Sequence, residues 1–444
     1  MLDDPLALAD SGAGAGSATT PTMLSSLRAD LLGRLSDLMG VPTVQKPMPP
    51  GWVKLFQDTA ARAARAYMDD PSERTLFHFL CLPKVGLAPA LRLASQTTAA
   101  AGKERLTSYP HVPWPSQPAE RARPVPVSLP RKVALAVERG RLSRAAALLA
   151  DDASVAPLGA QTMAALRSKH PQGVARPFGP AAGTAPSTLP SGDLLTTCFA
   201  AFRRDTSAGL SGWTVPLLGL ALKEEGVADF LLLLTRQVAQ GTAPGRDLLC
   251  ASRLTPLQKP DGGIRPIAVG ELMYRLVMRV IGRHYMTPSQ LLPCQFGVGS
   301  AGGTEPITRA LERAIEGSLP RPFQHVVALD FSNAFNALHR SVLGISVLEH
   351  APALYRAVRW AYNAPARLCV AGNDGMAIME SSEGVRQGDP LGPLLFSLGI
   401  RSVLHGLQAH LGDGHVVLAY LDDVYILSEA VSYTHLTLPT KRIV

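Results

Sequence analysis

The chain has 444 residues, 46% of them hydrophobic, enough for two or three domains and a sizeable core. A formal charge of +8, from 43 Lys and Arg against 35 Asp and Glu, favours nucleic-acid partners over acidic substrates or neutral metabolites. Five cysteines (Cys81, Cys198, Cys250, Cys294, Cys369) without a Cys-X-X-Cys spacing exclude a zinc knuckle and a disulfide framework and imply a reducing compartment, while no apolar run reaches the ~18 residues of a membrane span and Met1-Leu2-Asp3-Asp4 begins no secretory signal.

In chain order, residues 1–25 are rich in Ala, Gly, Ser and Thr and are expected to be disordered. Residues 26–108 read as a mainly helical N-terminal region, with helical periodicity over Leu27–Met39 and Trp52–Met68 and a Leu82-Pro83-Lys84 segment near its end. Seven prolines between Tyr109 and Pro130 predict an extended linker over 109–130. A helical segment over 131–172 and a second linker over 173–194 lead into a long unit over 195–430.

Chemistry concentrates in that unit. Lys259-Pro260-Asp261-Gly262-Gly263-Ile264-Arg265 reads as a hairpin with an Asp-Gly turn, placing Lys259 and Arg265 at a flexible tip where two cations suit a nucleotide triphosphate. Glu271–Tyr285 has apolar Met273, Leu276, Val277, Val280 and Ile281 at helical spacing. Arg275, Arg279 and Arg283 form a basic stripe on its other face. Residues 251–300 carry six Lys and Arg against two Asp and Glu, as expected where a nucleic-acid backbone is gripped. A glycine-bearing block follows, Gln295-Phe296-Gly297-Val298-Gly299 and Gly302-Gly303, then a helix over Pro306–Glu316.

His325–Leu329 is predicted to be a fully buried strand closed by Asp330. Arg386-Gln387-Gly388-Asp389-Pro390 is predicted to start a helix with Asp389 as N-cap and Pro390 at its first position, with Leu394, Leu395 and Leu398 on the apolar face. Val416–Leu421 and Val424–Leu427 form a predicted hairpin whose turn presents Asp422 and Asp423. Two adjacent acids alone suit any solvated turn. If the three strands share one sheet, however, Asp330, Asp422 and Asp423 converge, and a pair of divalent cations about 3.5–4 Å apart relieves their repulsion. That arrangement suits in-line nucleotidyl transfer.

Four blocks together resemble the reverse transcriptases of non-LTR (LINE-type) retrotransposons: 254–267, 329–336, 384–393 and Tyr420-Leu421-Asp422-Asp423. They stand in the family's order over about half the chain. The resemblance implies an α+β right-hand polymerase, with fingers and an antiparallel palm sheet over 195–430, acting as an RNA-directed DNA polymerase. It implies two Mg²⁺ ions, or Mn²⁺, on Asp330, Asp422 and Asp423, and dNTP contacts from Lys259, Arg265, Phe335, Gln387 and Gly388. Phe335 stands where the family places a ring beneath the sugar, against a 2′-hydroxyl. The implied partners are an RNA template, a DNA primer or target and dNTPs, with no membrane. The implied site of action is intracellular and nuclear, although no basic address motif is visible. The alternatives are a non-catalytic nucleic-acid-binding remnant, against which the intact acids argue, and an RNA-dependent RNA polymerase, against which Phe335 argues.

In the resembling enzymes a helical thumb follows the palm. Here 17 residues follow Leu427, and 431–444 read as a foreign tail, so the sequence reads as a truncated polymerase with its thumb missing that polymerises poorly on its own. The resemblance leaves Ser211, where many members carry Asp, and Asn336, where Asp is common, as departures.

Overall fold

The computed structural model describes residues 21–41, 43, 48–87, 96–112, 114–115, 129–138, 155–174, 176–179, 183–259, 261–300, 302–318, 323, 325–372 and 375–429. The expected disorder over 1–20, the linker over 116–128, the segment 139–154 and the tail over 431–444 lie outside them. The described residues form a mixed α/β structure with two sheets. No described helix is long and apolar enough to cross a membrane.

The first helix, Pro21–Asp37, begins inside the stretch expected to be disordered. Helices Pro50–Asp69 and Glu73–Cys81 follow. A capping box starts the latter: the Ser72 hydroxyl accepts from Thr75 N at 3.3 Å and Thr75 Oγ1 accepts from Ser72 N at 3.2 Å. Helix Glu225–Gln240 buries Val227, Phe230, Leu231, Leu234 and Val238, a three-and-four spacing that makes one apolar face. It packs against Pro50–Asp69, where the Tyr67 hydroxyl donates to Gln237 Oε1 at 2.6 Å.

This packing joins the N-terminal helices to the unit beyond residue 195. One apolar core runs from Leu31 through Trp213, Leu276 and Val358 to Leu398. Trp213 is its largest fully buried side chain; its ring stacks on Phe79 at 5.1 Å and its Nε1 donates to Phe79 O at 3.1 Å. Burying such rings contributes about 1.5–3 kcal/mol each, so the two regions stabilise one another. The start of the predicted linker belongs to the same body: Tyr109 and Val112 are buried and Trp114 stacks on Phe77.

The four-stranded sheet has the order β2-β1-β4-β5, with β1 Ser252–Gln258, β2 Ile264–Gly270, β4 Ala366–Gly372 and β5 Gly375–Ser381. Ser252, Leu254 and Pro256 alternate inward along β1, the period of two that a one-sided strand requires. β1 and β4 are parallel, meeting at Ser252–Leu368 and Arg253–Cys369; the other neighbours are antiparallel. Helix Ala160–Ser168 covers one face by placing Leu166 among Leu254, Ala268, Leu368 and Val370.

The three-stranded sheet is antiparallel, in the order β3-β7-β6, with β3 His325–Asp330, β6 His415–Tyr420 and β7 Asp423–Ser428. One face, with Val417, Ala419, Val424 and Ile426, packs with Leu404 of helix Arg401–Leu411. The other carries Leu418 and Leu427 against Ile307 and Ala314 of helix Thr304–Ile315, close to the expected 306–316 helix. The expectation of a fully buried β3 is corrected. Its residues alternate between half-buried and exposed, with Val326 43% exposed, because the outer strand lacks cover on one face.

Candidate active site

The acids sit at one end of the three-stranded sheet. Asp330 closes β3 and pairs directly with Asp423, the first residue of β7. Opposed residues of an antiparallel pair project to the same face with Cβ atoms roughly 4.5–5.5 Å apart. Asp423 also opposes Tyr420 across the hairpin, so the turn consists of Leu421 and Asp422 alone. Asp422 is therefore in the turn, while Asp423 belongs to the strand. Leu421 has φ +56°, a left-handed conformation costing a non-glycine residue about 1–2 kcal/mol.

What holds Leu421 there is the glycine block. Residues 294–296 run beside β6: Phe296 N donates to Ala419 O and Ala419 N to Cys294 O, both at 2.8 Å. A Cβ on Gly297 would lie 2.8 Å from Leu421 Cγ and 2.9 Å from Leu421 N, so only glycine lets this loop close on the hairpin. Buried Gln295 donates to Ser397 O at 2.8 Å, tying the hairpin to helix Gly392–Gly399.

The Asp423 carboxyl is pushed up, by partial desolvation first and then by the charges of Asp422 and Asp330. Asp423 thus feels the charges of both other acids. Their hard oxygen donors are of the kind Mg²⁺ prefers, and a divalent cation would relieve the repulsion that raises Asp423. Among the described residues no three His, Cys, Asp or Glu side chains are gathered as a ready ligand set. The carboxylates are neighbours, and side-chain rotation must complete any cage.

The chain after Asp330 turns back through Asn333, at φ +55°, into the short helix Ala334–Ala337. Phe335 is half-buried and stacks on Phe396 at 4.6 Å, while its carbonyl accepts from Val385 N at 2.7 Å. Two residues beyond Val385, Gln387 O accepts from Ala268 N of β2 at 2.8 Å. Hydrogen bonds therefore connect the Asp330 loop, the Gln387-Gly388 turn and the four-stranded sheet. Gly388 has φ +114°, and a Cβ there would meet Ala268 O at 2.4 Å. Gln387 Oε1 is buried without a hydrogen-bond partner.

The predicted capped helix begins later than expected. It spans Gly392–Gly399 with Leu391 as N-cap, and Asp389 instead makes a turn in which Oδ1 accepts from Leu391 N at 2.9 Å. The reason is a tertiary demand on Asp389. Its Oδ2 accepts from Tyr362 OH at 2.7 Å, from Tyr274 OH at 2.5 Å and from Arg386 Nη2 at 3.1 Å.

At the far end of the β1–β2 hairpin, Lys259 N donates to Gly263 O at 2.8 Å and Gly262 takes φ +80°. Arg265 is exposed and opposite Leu257; Lys259, two residues on, shares their face. The basic stripe on helix Leu272–Tyr285 is less free than expected. Arg275 Nη2 donates to Ser207 O, and Arg279 lies 4.0 Å over the Phe202 ring. Of the three, Arg283 is the exposed one.

Residues 257–441 match the family model described as reverse transcriptase (RNA-dependent DNA polymerase). The retrotransposable element SLACS 132 kDa protein of Trypanosoma brucei gambiense is 33% identical over 235 residues, half of this chain. Pol polyproteins of the type-1 retrotransposable element R2 from Nasonia vitripennis and Popillia japonica are 28% and 26% identical, each over 37% of the chain. Over residues 257–441 the chain is thus similar to reverse transcriptases, and its relatives are proteins of non-LTR retrotransposable elements. Its alignments span 19%, 17% and 25% of those relatives' own lengths.

Within the matched stretch, sequence reasoning missed the residues that position the others. Arg340 is 1% exposed and donates to the carbonyls of Gly384, Tyr362 and Ser381 at 2.9–3.2 Å, fixing the strand that leads to Gln387. Burial lowers its pKa to about 10. Glu271, fully buried, accepts from Ser211 N at 2.9 Å and from the Ser211 hydroxyl, so the serine replacing a common Asp is bound to an acid supplied by the neighbouring helix. The one sequence signal for Glu271 was an acid at a helix start preceding an apolar run; for Arg340 there was none.

Proposed function

We propose that the chain is an RNA-directed DNA polymerase of a non-LTR retroelement, transferring a nucleotidyl group from a dNTP to a primer 3′-hydroxyl. The observation that carries this reading is the direct pairing of Asp330 with Asp423, beside Asp422, at one sheet end. The residues around the β1–β2 hairpin take the part of fingers, and the β3-β7-β6 sheet with its helices takes the part of palm.

In this reading Asp330, Asp422 and Asp423 hold two Mg²⁺ ions, which when bound make the 3′-hydroxyl more acidic and neutralise the departing pyrophosphate. Lys259 and Arg265 meet the triphosphate at the hairpin tip, the arginine as a planar fork. Phe335, braced by Phe396, lies beneath the sugar and opposes a 2′-hydroxyl. Gln387 meets the nucleotide through its side-chain amide, and Gly388 permits close approach of the backbone. Arg283 contacts the nucleic-acid backbone, with Arg275 and Arg279 joining it if the 202–207 loop moves. An RNA template and a DNA primer are the partners, and the site of action is the nucleus.

Single-nucleotide incorporation on an RNA template, with primer–template in excess, tests this without requiring processivity. The expected result is Mg²⁺-dependent addition of dNTP rather than rNTP, reduced on the order of 10²–10³-fold or more in Asp422→Ala. Incorporation unchanged in that variant, or a preference for rNTP, would refute the proposal.

A further inference from the structure

Gln387 and Gly388 are bracketed by a buried ion pair. Arg386 and Asp389 stand on either side of them in sequence, and their side chains meet at 3.1 Å with side-chain exposures of 3% and 0%. A pair so close across two intervening residues pins both ends of the turn. Two tyrosines from separate elements reach the same carboxylate. Tyr274 comes from helix Leu272–Tyr285, which follows β2, and Tyr362 from the end of helix Pro352–Tyr362, which precedes β4. Both are buried; Tyr274 OH also accepts from Arg386 Nη2 at 2.6 Å, and the Arg386 guanidinium lies 4.4 Å over the Tyr362 ring. Two hydroxyls and one guanidinium therefore saturate one carboxylate oxygen, while the other caps Leu391 N.

We infer that Tyr274 and Tyr362 are positioning residues for nucleotide selection, acting through Asp389 to hold Gln387 and Gly388 at the incoming nucleotide. The inference rests on the polymerase reading above. Its physical content is that neither hydroxyl touches substrate. Each removes a degree of freedom from a turn whose own sequence, with Gly388 at φ +114°, would not hold still. The third tether, from Ala268 N to Gln387 O, comes from β2, so displacement of the hairpin relative to the helix over 352–362 disturbs the turn from both sides. The network therefore couples the placement of those two elements to Gln387.

The test is a double-substitution cycle on single-nucleotide incorporation by the full chain, reading apparent dNTP affinity and maximal rate separately. Tyr274→Phe and Tyr362→Phe keep ring and volume while deleting one hydroxyl each. Each is expected to weaken apparent dNTP affinity roughly 10–160-fold, the range of one hydrogen bond to a charged group, with the maximal rate changed less than about twofold. In a Gln387→Ala background the same substitutions are expected to have little further effect, because the group they position is gone. Equal penalties in both backgrounds, or unchanged affinity in both single variants, would overturn the inference while leaving the polymerase reading intact. A wild-type chain that incorporates nothing would remove both. Should Tyr274→Phe fail to fold, Tyr362→Phe tests the same carboxylate from the other element.

Discussion

In the proposed function, Phe335 takes its task from its neighbours. An aromatic residue after a strand is an ordinary core residue, and here the ring does pack partly into the core while stacking on Phe396 at 4.6 Å. Bracing from behind is what a steric gate requires, since a ring free to rotate would yield to a 2′-hydroxyl. Phe335→Ala is expected to relax discrimination against rNTP roughly 10–100-fold, with dNTP incorporation retained, in competition assays on one template. Undiminished discrimination would place the gate elsewhere. Asp330 and Asp423 give the opposite lesson. Each is unremarkable alone, and the strand register is what sets their carboxylates side by side.

At the scale of elements, the hairpin turn depends on a segment more than a hundred residues earlier. Leu421 keeps its left-handed backbone because the 294–297 segment hydrogen-bonds along β6 and Gly297 leaves room for its side chain. Gly297→Ala places a methyl 2.8–2.9 Å from Leu421 atoms, one of them backbone. The expected cost is about 1–3 kcal/mol of stability with a larger proportional loss of incorporation, measured by chemical denaturation and by the assay above. A variant as stable and active as wild type would show that the loop is free to move away. The capped helix at 389 makes a related point: Asp389 has the chemistry of an N-cap, but three buried donors claim its second oxygen and the helix starts at Gly392.

For the whole molecule, the shared core makes the N-terminal helices a structural part of the unit beyond residue 195. Lys84, 3% exposed, donates to Leu38 O at 2.7 Å and lies near Glu271, so the N-terminal helices and the start of helix Leu272–Tyr285 meet at buried charge. Burial lowers the Lys84 pKa from 10.5 to about 8. The unfolded chain then holds this proton more tightly than the folded one, so stability rises with pH between about 8 and 10.5, by about 3 kcal/mol from this group. Lys84→Met is expected to flatten that rise in denaturation series across the same range. An identical slope in the variant would mean that the amine is solvated.

Much of the fold was legible because local pattern and tertiary demand agree. The helices near 27–39, 52–68, 271–285 and 306–316, the β1–β2 hairpin and the acidic hairpin each combine one periodicity with a recognisable start or turn. β4 and β5 went unread, being framed by helices and carrying no chemistry of their own. The linker over 109–130 was misjudged at its start, because proline content speaks to backbone stiffness and says nothing about whether Tyr109 and Trp114 find an apolar surface.

By itself the sequence determined residue chemistry, order and period: which acids, cations and rings are present, and which lie on a strand, a turn or a helix face. Tertiary structure alone decided strand neighbours and register, hence that Asp330 opposes Asp423, that Arg275 and Arg279 turn toward the 202–207 loop, and that Tyr274 and Tyr362 meet at Asp389. The physical reason is range. Propensity and capping act over a few residues, whereas pairing and burial are settled by contacts between segments tens to hundreds of residues apart, whose partners no local pattern names.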